Sequence, residues 1–159
     1  MDIQDIRVFT PKVQVQPRDS SKLRYTRIRE LLELPPPGKP LLDAITKGFP
    51  INILRAVAGS LSLDVYKVGT YIDIKTATLN RRLHDGTLTT AESDRLYRFI
   101  EVYDSVLDLF EGDKALANQW LNSPAVGLGG DAPISVVRIS TGANYVLSLI
   151  NKIEHGVLI

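Results

Sequence analysis

The side chains best equipped for chemistry fall in a few short segments. Lys75-Thr76-Ala77-Thr78-Leu79-Asn80-Arg81-Arg82-Leu83 spaces basic, hydroxyl and amide groups among small apolar ones. Lys75, Thr76, Thr78, Asn80 and Arg81 or Arg82 are the types that hydrogen-bond phosphates and base edges, while Ala77 and Leu79 would pack. Asp104, Asp108 and Glu111 share one helical face; a solvated surface explains them more simply than acid–base chemistry does. Gly127-Leu128-Gly129-Gly130 invites a phosphate-loop reading. That loop needs a preceding strand and a following Lys-Ser/Thr, and its dinucleotide-binding relative needs GxGxxG in a βαβ unit. Neither context is present, so a turn between helices is expected. His84 and His155 lie 71 positions apart, and there is no cysteine. Thiolate metal sites, disulfides and a cysteine nucleophile are thereby excluded, and little remains for an imidazole site. No compact cluster of convergent groups marks an active site. A non-enzymatic protein without cofactor or metal is expected.

Helices must position these residues. Met1–Gln16 alternates around Thr10-Pro11 as a short strand or a disordered arm would, and Ser20–Leu34 reads as a basic amphipathic helix. Pro35-Pro36-Pro37-Gly38-Lys39-Pro40 stops it and reads as a linker. Leu41–Lys47 forms a short helix closed by Gly48 and Pro50. Ile51, Leu54, Val57 and Ala58 mark another that ends at Gly59, and Leu63, Tyr66, Val68 and Tyr71 mark a third, begun near Ser62 or Asp64. Asp73 is the expected N-cap of Lys75–Leu83. Residues 62–83 thus have helix-turn-helix proportions. Thr89 and Glu92 match a capping box at the head of a long helix, Thr90 to Phe110. Leu96, Ile100, Tyr103, Leu107 and Phe110 form one stripe on it, and Phe99, Val102, Val106 and Leu109 a second. So wide an apolar face predicts a central core helix, with a dimer or partner contact as the alternative. Asp113 can cap a helix through Trp120. Pro133 opens one that runs on towards Gly142, and Val146, Leu149, Ile150 and Ile153 line the last, which stops at Gly156. There is no βαβ alternation, and the expected fold class is all-α.

The chain has 159 residues, a 44% apolar and 23% charged composition, and a net charge of +1. That suffices for one domain, or two small ones closely packed, with a core that needs no staples. No apolar run approaches membrane-spanning length and the N-terminus carries no signal-like segment, which points to a cytoplasmic protein. The charge is unevenly divided: +3 over residues 1–47, +2 over 48–86 and −4 over 87–159. A basic half joined to an acidic half hints at two partners of opposite preference.

From Gly48 onward the chain resembles the Xre antitoxins of RES–Xre toxin–antitoxin modules, whose C-terminal portion is the Xre/MbcA/ParS-type toxin-binding domain. The resemblance is carried by Thr78-Leu79-Asn80-Arg81-Arg82, Leu88-Thr89-Thr90-Ala91-Glu92-Ser93-Asp94-Arg95-Leu96-Tyr97-Arg98 and Leu109-Phe110-Glu111-Gly112-Asp113. It continues in Ala117-Asn118-Gln119-Trp120-Leu121-Asn122-Ser123-Pro124, Leu128-Gly129-Gly130-Asp131-Ala132-Pro133, Ser140-Thr141-Gly142 and Ile153-Glu154-His155-Gly156-Val157. Order and spacing together make it specific, and residues 1–40 lie outside it.

The resemblance implies an antitoxin in two parts. Residues 41–86 would form an Xre-type helix-turn-helix that dimerises and binds the operator of its own operon, and residues 87–159 a helical domain that occludes the active site of a RES-type, NAD-degrading toxin. Residues 1–40 would be an arm, a basic helix and a Pro-rich linker. The DNA contacts would be Lys75, Thr76, Thr78, Asn80, Arg81 and Arg82. Trp120, Pro124, Gly129, Gly130, Pro133, Gly142 and Gly156 fall on the family's motif positions and are expected to shape the domain. Toxin contact is expected at Lys152, Glu154, His155, Val157, Leu158 and Ile159, because a chain end is narrow enough to enter a cleft. Relatives often place an aromatic residue after the Gly-Val pair; here the chain runs Gly156-Val157-Leu158-Ile159, so any plug would be aliphatic or polar. The alternative from a different class is a helix-turn-helix regulator whose C-terminal domain only dimerises or senses a ligand.

Overall fold

The computed structural model describes residues 25–157. Among these, every regular element is helical: α1 Ile28–Leu31, α2 Lys39–Lys47, α3 Ile51–Leu61, α4 Val65–Tyr71, α5 Thr76–Asp85, α6 Thr90–Leu109, α7 Lys114–Leu121, α8 Pro133–Val136 and α9 Ser140–Glu154. The strand or arm expected over Met1–Gln16 lies outside the described residues, as do Leu158 and Ile159.

The long helix α6 organises the rest. Thr89 Oγ1 accepts from the Glu92 backbone N–H at 3.2 Å, and Glu92 Oε2 accepts from the Thr89 N–H at 2.8 Å, closing the expected capping box. Leu96, Ile100, Tyr103, Leu107 and Phe110 are buried, and so are Phe99, Val102, Val106 and Leu109. Both stripes are covered because α6 packs against α1, α2, α7 and α9. It is the central core helix that its wide apolar face predicts. Ser93, fully buried on α6, accepts from the Phe49 N–H at 2.8 Å and donates to the Thr89 carbonyl at 2.7 Å. Beside it, Ile51 N–H bonds Gly86 O and Leu88 N–H bonds Phe49 O, both at 2.9 Å. These rungs lash the start of α3 to the segment between α5 and α6.

Several local expectations are corrected. Of the basic helix expected over Ser20–Leu34, residues 20–24 lie outside the described residues, and among the rest only Ile28–Leu31 is helical; residues 25–34 lie along α6, where polar groups hold them. Asp104 is 4% exposed. Its carboxylate accepts the backbone N–H groups of Ile28 and Arg29, at 2.8 and 3.2 Å. Asp108 accepts from the Tyr25 hydroxyl at 2.6 Å and from Arg27 at 2.7 and 3.2 Å. These two carboxylates are therefore anchors, not the solvated pair their spacing suggests. The Pro-rich segment does not end in a linker: Lys39 and Pro40 open α2, where a missing N–H costs nothing. Asp73 does not cap α5. It occupies the left-handed region, φ 57°, in a turn where Ile74 N–H bonds Gly69 O at 2.8 Å. That turn buries Ile72 and Ile74, and Lys75 becomes the N-cap without a side-chain bond. Asp64 and Asp113 do cap α4 and α7, accepting from Tyr66 N–H at 2.7 Å and Leu116 N–H at 3.0 Å.

Candidate functional site

α4 and α5 form a helical hairpin joined by the turn at 72–75, and Leu79 on α5 buries itself against Gly69 on α4. A β-carbon at position 69 would come 2.8 Å from Leu79 Cδ2, so glycine is what lets the two helices cross so closely. With Leu79 turned inward, the outer face of α5 follows from helical spacing. Ala77, Asn80, Arg81 and His84 are exposed, with Lys75 and Thr76 exposed at the helix head. Ala77, expected to pack, is thus exposed, and the other five form a row of donors on the second helix of the hairpin.

The predicted DNA residues divide accordingly. Lys75, Thr76, Asn80 and Arg81 face solvent, and Thr78 is half-buried at the side of the helix. Arg82 points the other way and donates Nε to Glu92 Oε2 at 2.8 Å. Burial by itself pushes the Glu92 carboxyl up. The Arg82 guanidinium and the Thr89 N–H outweigh it and hold the carboxyl below its ordinary range. Arg82 is correspondingly pushed up by its bond to Glu92. Its charge fastens α5 to the head of α6. His84, which spacing in the sequence marks only as a helix-end residue, shares the outer face one turn beyond Asn80 and Arg81.

The C-terminal half rests on the pairing of α9 with α6. Ala143, Val146, Leu149 and Ile150 are buried in that seam. Trp120 is 3% exposed and forms part of the core, as its motif position implies. Pro124 is exposed just after α7. Pro133 is buried at the first position of α8, where its ring suits the helix start. The glycine-rich segment forms a single 3₁₀ turn, Val126–Leu128, with Gly129 and Gly130 at φ 67° and 93°. It makes a turn between helices and no phosphate cradle. Gly142 is not a helix stop. It lies in the first turn of α9, and a β-carbon there would sit 2.0 Å from the Val136 carbonyl oxygen. Gly156, at φ 66°, ends the turn after α9.

The residues expected to meet a toxin sit at the far end of α9. Lys152 is exposed in its last turn and Glu154 is half-buried. His155 is exposed, with Nδ1 donating to the Asn151 carbonyl at 2.7 Å. Val157 is 52% exposed. Sequence spacing gives no signal for Val126, Ile139 and Tyr145, yet this half of the molecule leaves them 62%, 65% and 53% exposed. Single exposed apolar side chains are ordinary on a folded surface, so exposure alone assigns them no contact. Among the described residues, no group of His, Asp and Glu side chains could hold a metal ion, and no helix is long and apolar enough to cross a membrane.

Comparison with known proteins agrees with this division. Residues 40–101 match the antitoxin Xre-like helix-turn-helix domain, and residues 105–156 match the antitoxin Xre/MbcA/ParS C-terminal toxin-binding domain. The curated relatives include an Antitoxin Xre of Yersinia enterocolitica, 38% identical over 121 residues that cover 76% of this chain and 82% of that protein. An Antitoxin Xre of Photorhabdus laumondii is 35% identical over 155 residues, covering 96% and 99%. Both are named as antitoxins, not as enzymes. With a close-packed helical hairpin in one matched segment, a helical toxin-binding segment in the other, and likeness to such relatives over most of its length, this chain belongs to the Xre antitoxin family.

Proposed function

We propose that this antitoxin neutralises a RES-type, NAD-degrading toxin by occluding its active site, and that it represses its own operon as a homodimer on operator DNA. The observation that carries the reading is the presence of two separate exposed surfaces, on α5 and on α9. The outer face of α5 carries Lys75, Thr76, Asn80 and Arg81, and the end of α9 carries Lys152, Glu154, His155 and Val157. The first lies in the helix-turn-helix match, and the second ends the toxin-binding match. Charge supports the same division. The basic segment contains α5, whereas residues 87–159 carry −4, suited to a toxin pocket that must attract dinucleotide phosphates. Glu154 and Asp131 are the acidic groups in this segment that would compete there.

The test is co-expression with the adjacent open reading frame, scoring growth and cellular NAD. The full chain should rescue cells whose NAD the neighbour depletes. A chain ending at Glu154 keeps Leu149 and Ile150 in the core and should bind without full rescue. Failure of the full chain to rescue, with no stoichiometric partner on purification, would leave a regulator whose C-terminal half only dimerises or senses a ligand. Full rescue by the shortened chain would move occlusion to another surface, with Val126, Ile139 and Tyr145 next in line.

A further inference from the structure

The donors on the outer face of α5 are not equivalent. Tyr66 on α4, 41% exposed, reaches across the helix crossing and donates its hydroxyl to Asn80 Oδ1 at 2.7 Å. Its own backbone is held at both ends: the N–H bonds Asp64 at 2.7 Å, and the carbonyl accepts from Thr70 Oγ1 at 3.0 Å. The crossing beneath is close and buried, because the Leu79 side chain reaches to 2.8 Å from where a β-carbon of Gly69 would be. Buried packing, not the surface, therefore sets the separation of Tyr66 and Asn80.

An unrestrained asparagine offers one acceptor oxygen and two N–H donors. That set pairs with adenine, whose major-groove edge presents an acceptor N7 and a donor amino group. Here the Asn80 carbonyl is turned towards α4, leaving the amide N–H groups for whatever lies against α5. Guanine matches a donor-only group, since N7 and O6 both accept. We propose that Tyr66 is a positioning residue that makes Asn80 a donor-only reader, so that this chain selects guanine over adenine at one base pair of its DNA site. The inference rests on α5 being the DNA-reading helix. Arg81, beside Asn80, and Lys75, at the helix head, supply charge to the phosphates, while Arg82 is committed to Glu92.

The experiment selects duplexes from a randomised DNA library with the full-length chain, then measures binding to the selected duplex with single base exchanges. One base pair should favour guanine over adenine by about tenfold. Asn80→Ala should abolish that preference alone. Tyr66→Phe, which keeps the ring, should shift the same base pair towards adenine and leave the other positions and the salt dependence unchanged. Arg81→Ala should weaken all duplexes alike and flatten the salt dependence. A merely structural Tyr66 would weaken every duplex together without moving the preference, and that result overturns the proposal. So does retained guanine preference in both Tyr66→Phe and Asn80→Ala with DNA binding intact. Enrichment of no duplex at all would overturn the DNA-reading assignment of α5 itself, an outcome distinct from the other two. Far-UV circular dichroism of each variant confirms the fold.

Discussion

Gly142 has the Val136 carbonyl lying where a β-carbon would be, and its place in a helix would otherwise favour alanine. Gly142→Ala must therefore push α8 away from α9. A loss of about 2–3 kcal/mol is expected from such overpacking. Urea denaturation measures it, and a change below about 0.5 kcal/mol would mean the contact yields freely. Glu92 makes a different kind of residue-scale prediction. Its carboxylate serves the capping box and Arg82 together, so Glu92→Gln should cost about 1–2 kcal/mol near neutral pH. Because the folded carboxyl titrates below its ordinary value, that stabilisation is present above the ordinary carboxylate range and is lost as pH falls through the lowered one. Wild type and Glu92→Gln should thus converge in stability below about pH 4. A gap that stays constant into acid would show that the charge contributes nothing.

The segment before α2 shows how one element depends on another. Four residues of helix cannot hold themselves together, and α1 forms because Asp104 on α6 receives its first backbone N–H groups. Tyr25 packs so close to Gly112 that a β-carbon there would lie 2.3 Å from its ring. Burial pushes the Asp104 carboxyl above its ordinary value, although the N–H groups of Ile28 and Arg29 pull the other way. The fold therefore favours its neutral form: this contribution is complete below the ordinary carboxylate pKa and fades as pH rises through the raised one. Tyr103, pushed up to about 12 by burial and by Asp104, does not titrate in that window. Relative to Asp104→Asn, wild type should accordingly lose stability as pH rises from about 4 towards 7. Chemical denaturation across that range checks the sign; a difference independent of pH would refute it. Asp104→Ala should release residues 25–34 to limited proteolysis while α6 stays protected, since α2, α7 and α9 still cover it.

For the whole molecule, α6 leaves no room for two independent halves. The helix-turn-helix match runs to residue 101 and the toxin-binding match begins at 105, so they meet inside one uninterrupted helix. Burial continues across that point through Phe99, Ile100, Val102, Tyr103 and Val106. Unfolding should consequently be a single transition, with calorimetric and van't Hoff enthalpies equal. Two resolved transitions would show that the halves fold separately. A toxin seated on α9 and DNA seated on α5 would load the same helix, α6, which packs on α9 and is tied to α5 through Arg82 and Glu92.

Periodicity and caps were sufficient for much of this architecture. The stripes of α6 are legible as periodicity, and its capping box and the caps at Asp64 and Asp113 rest on contacts within a few residues, where spacing and side-chain type decide the outcome. The same locality made the all-α class and the α4–α5 hairpin legible. Contacts between distant segments were not legible, because a carboxylate three or four places from another looks solvated until its partner arrives. Asp104 and Asp108 became anchors only when residues 25–29 folded back onto them. Arg82 left the donor row only when Glu92 met it, and Gly142 became a contact only when α8 crossed it. The sequence by itself determined most of the helices from α2 onward and which residues carry donors. Tertiary packing decided which of those donors face outward, because only packing spends some of them on holding the helices together.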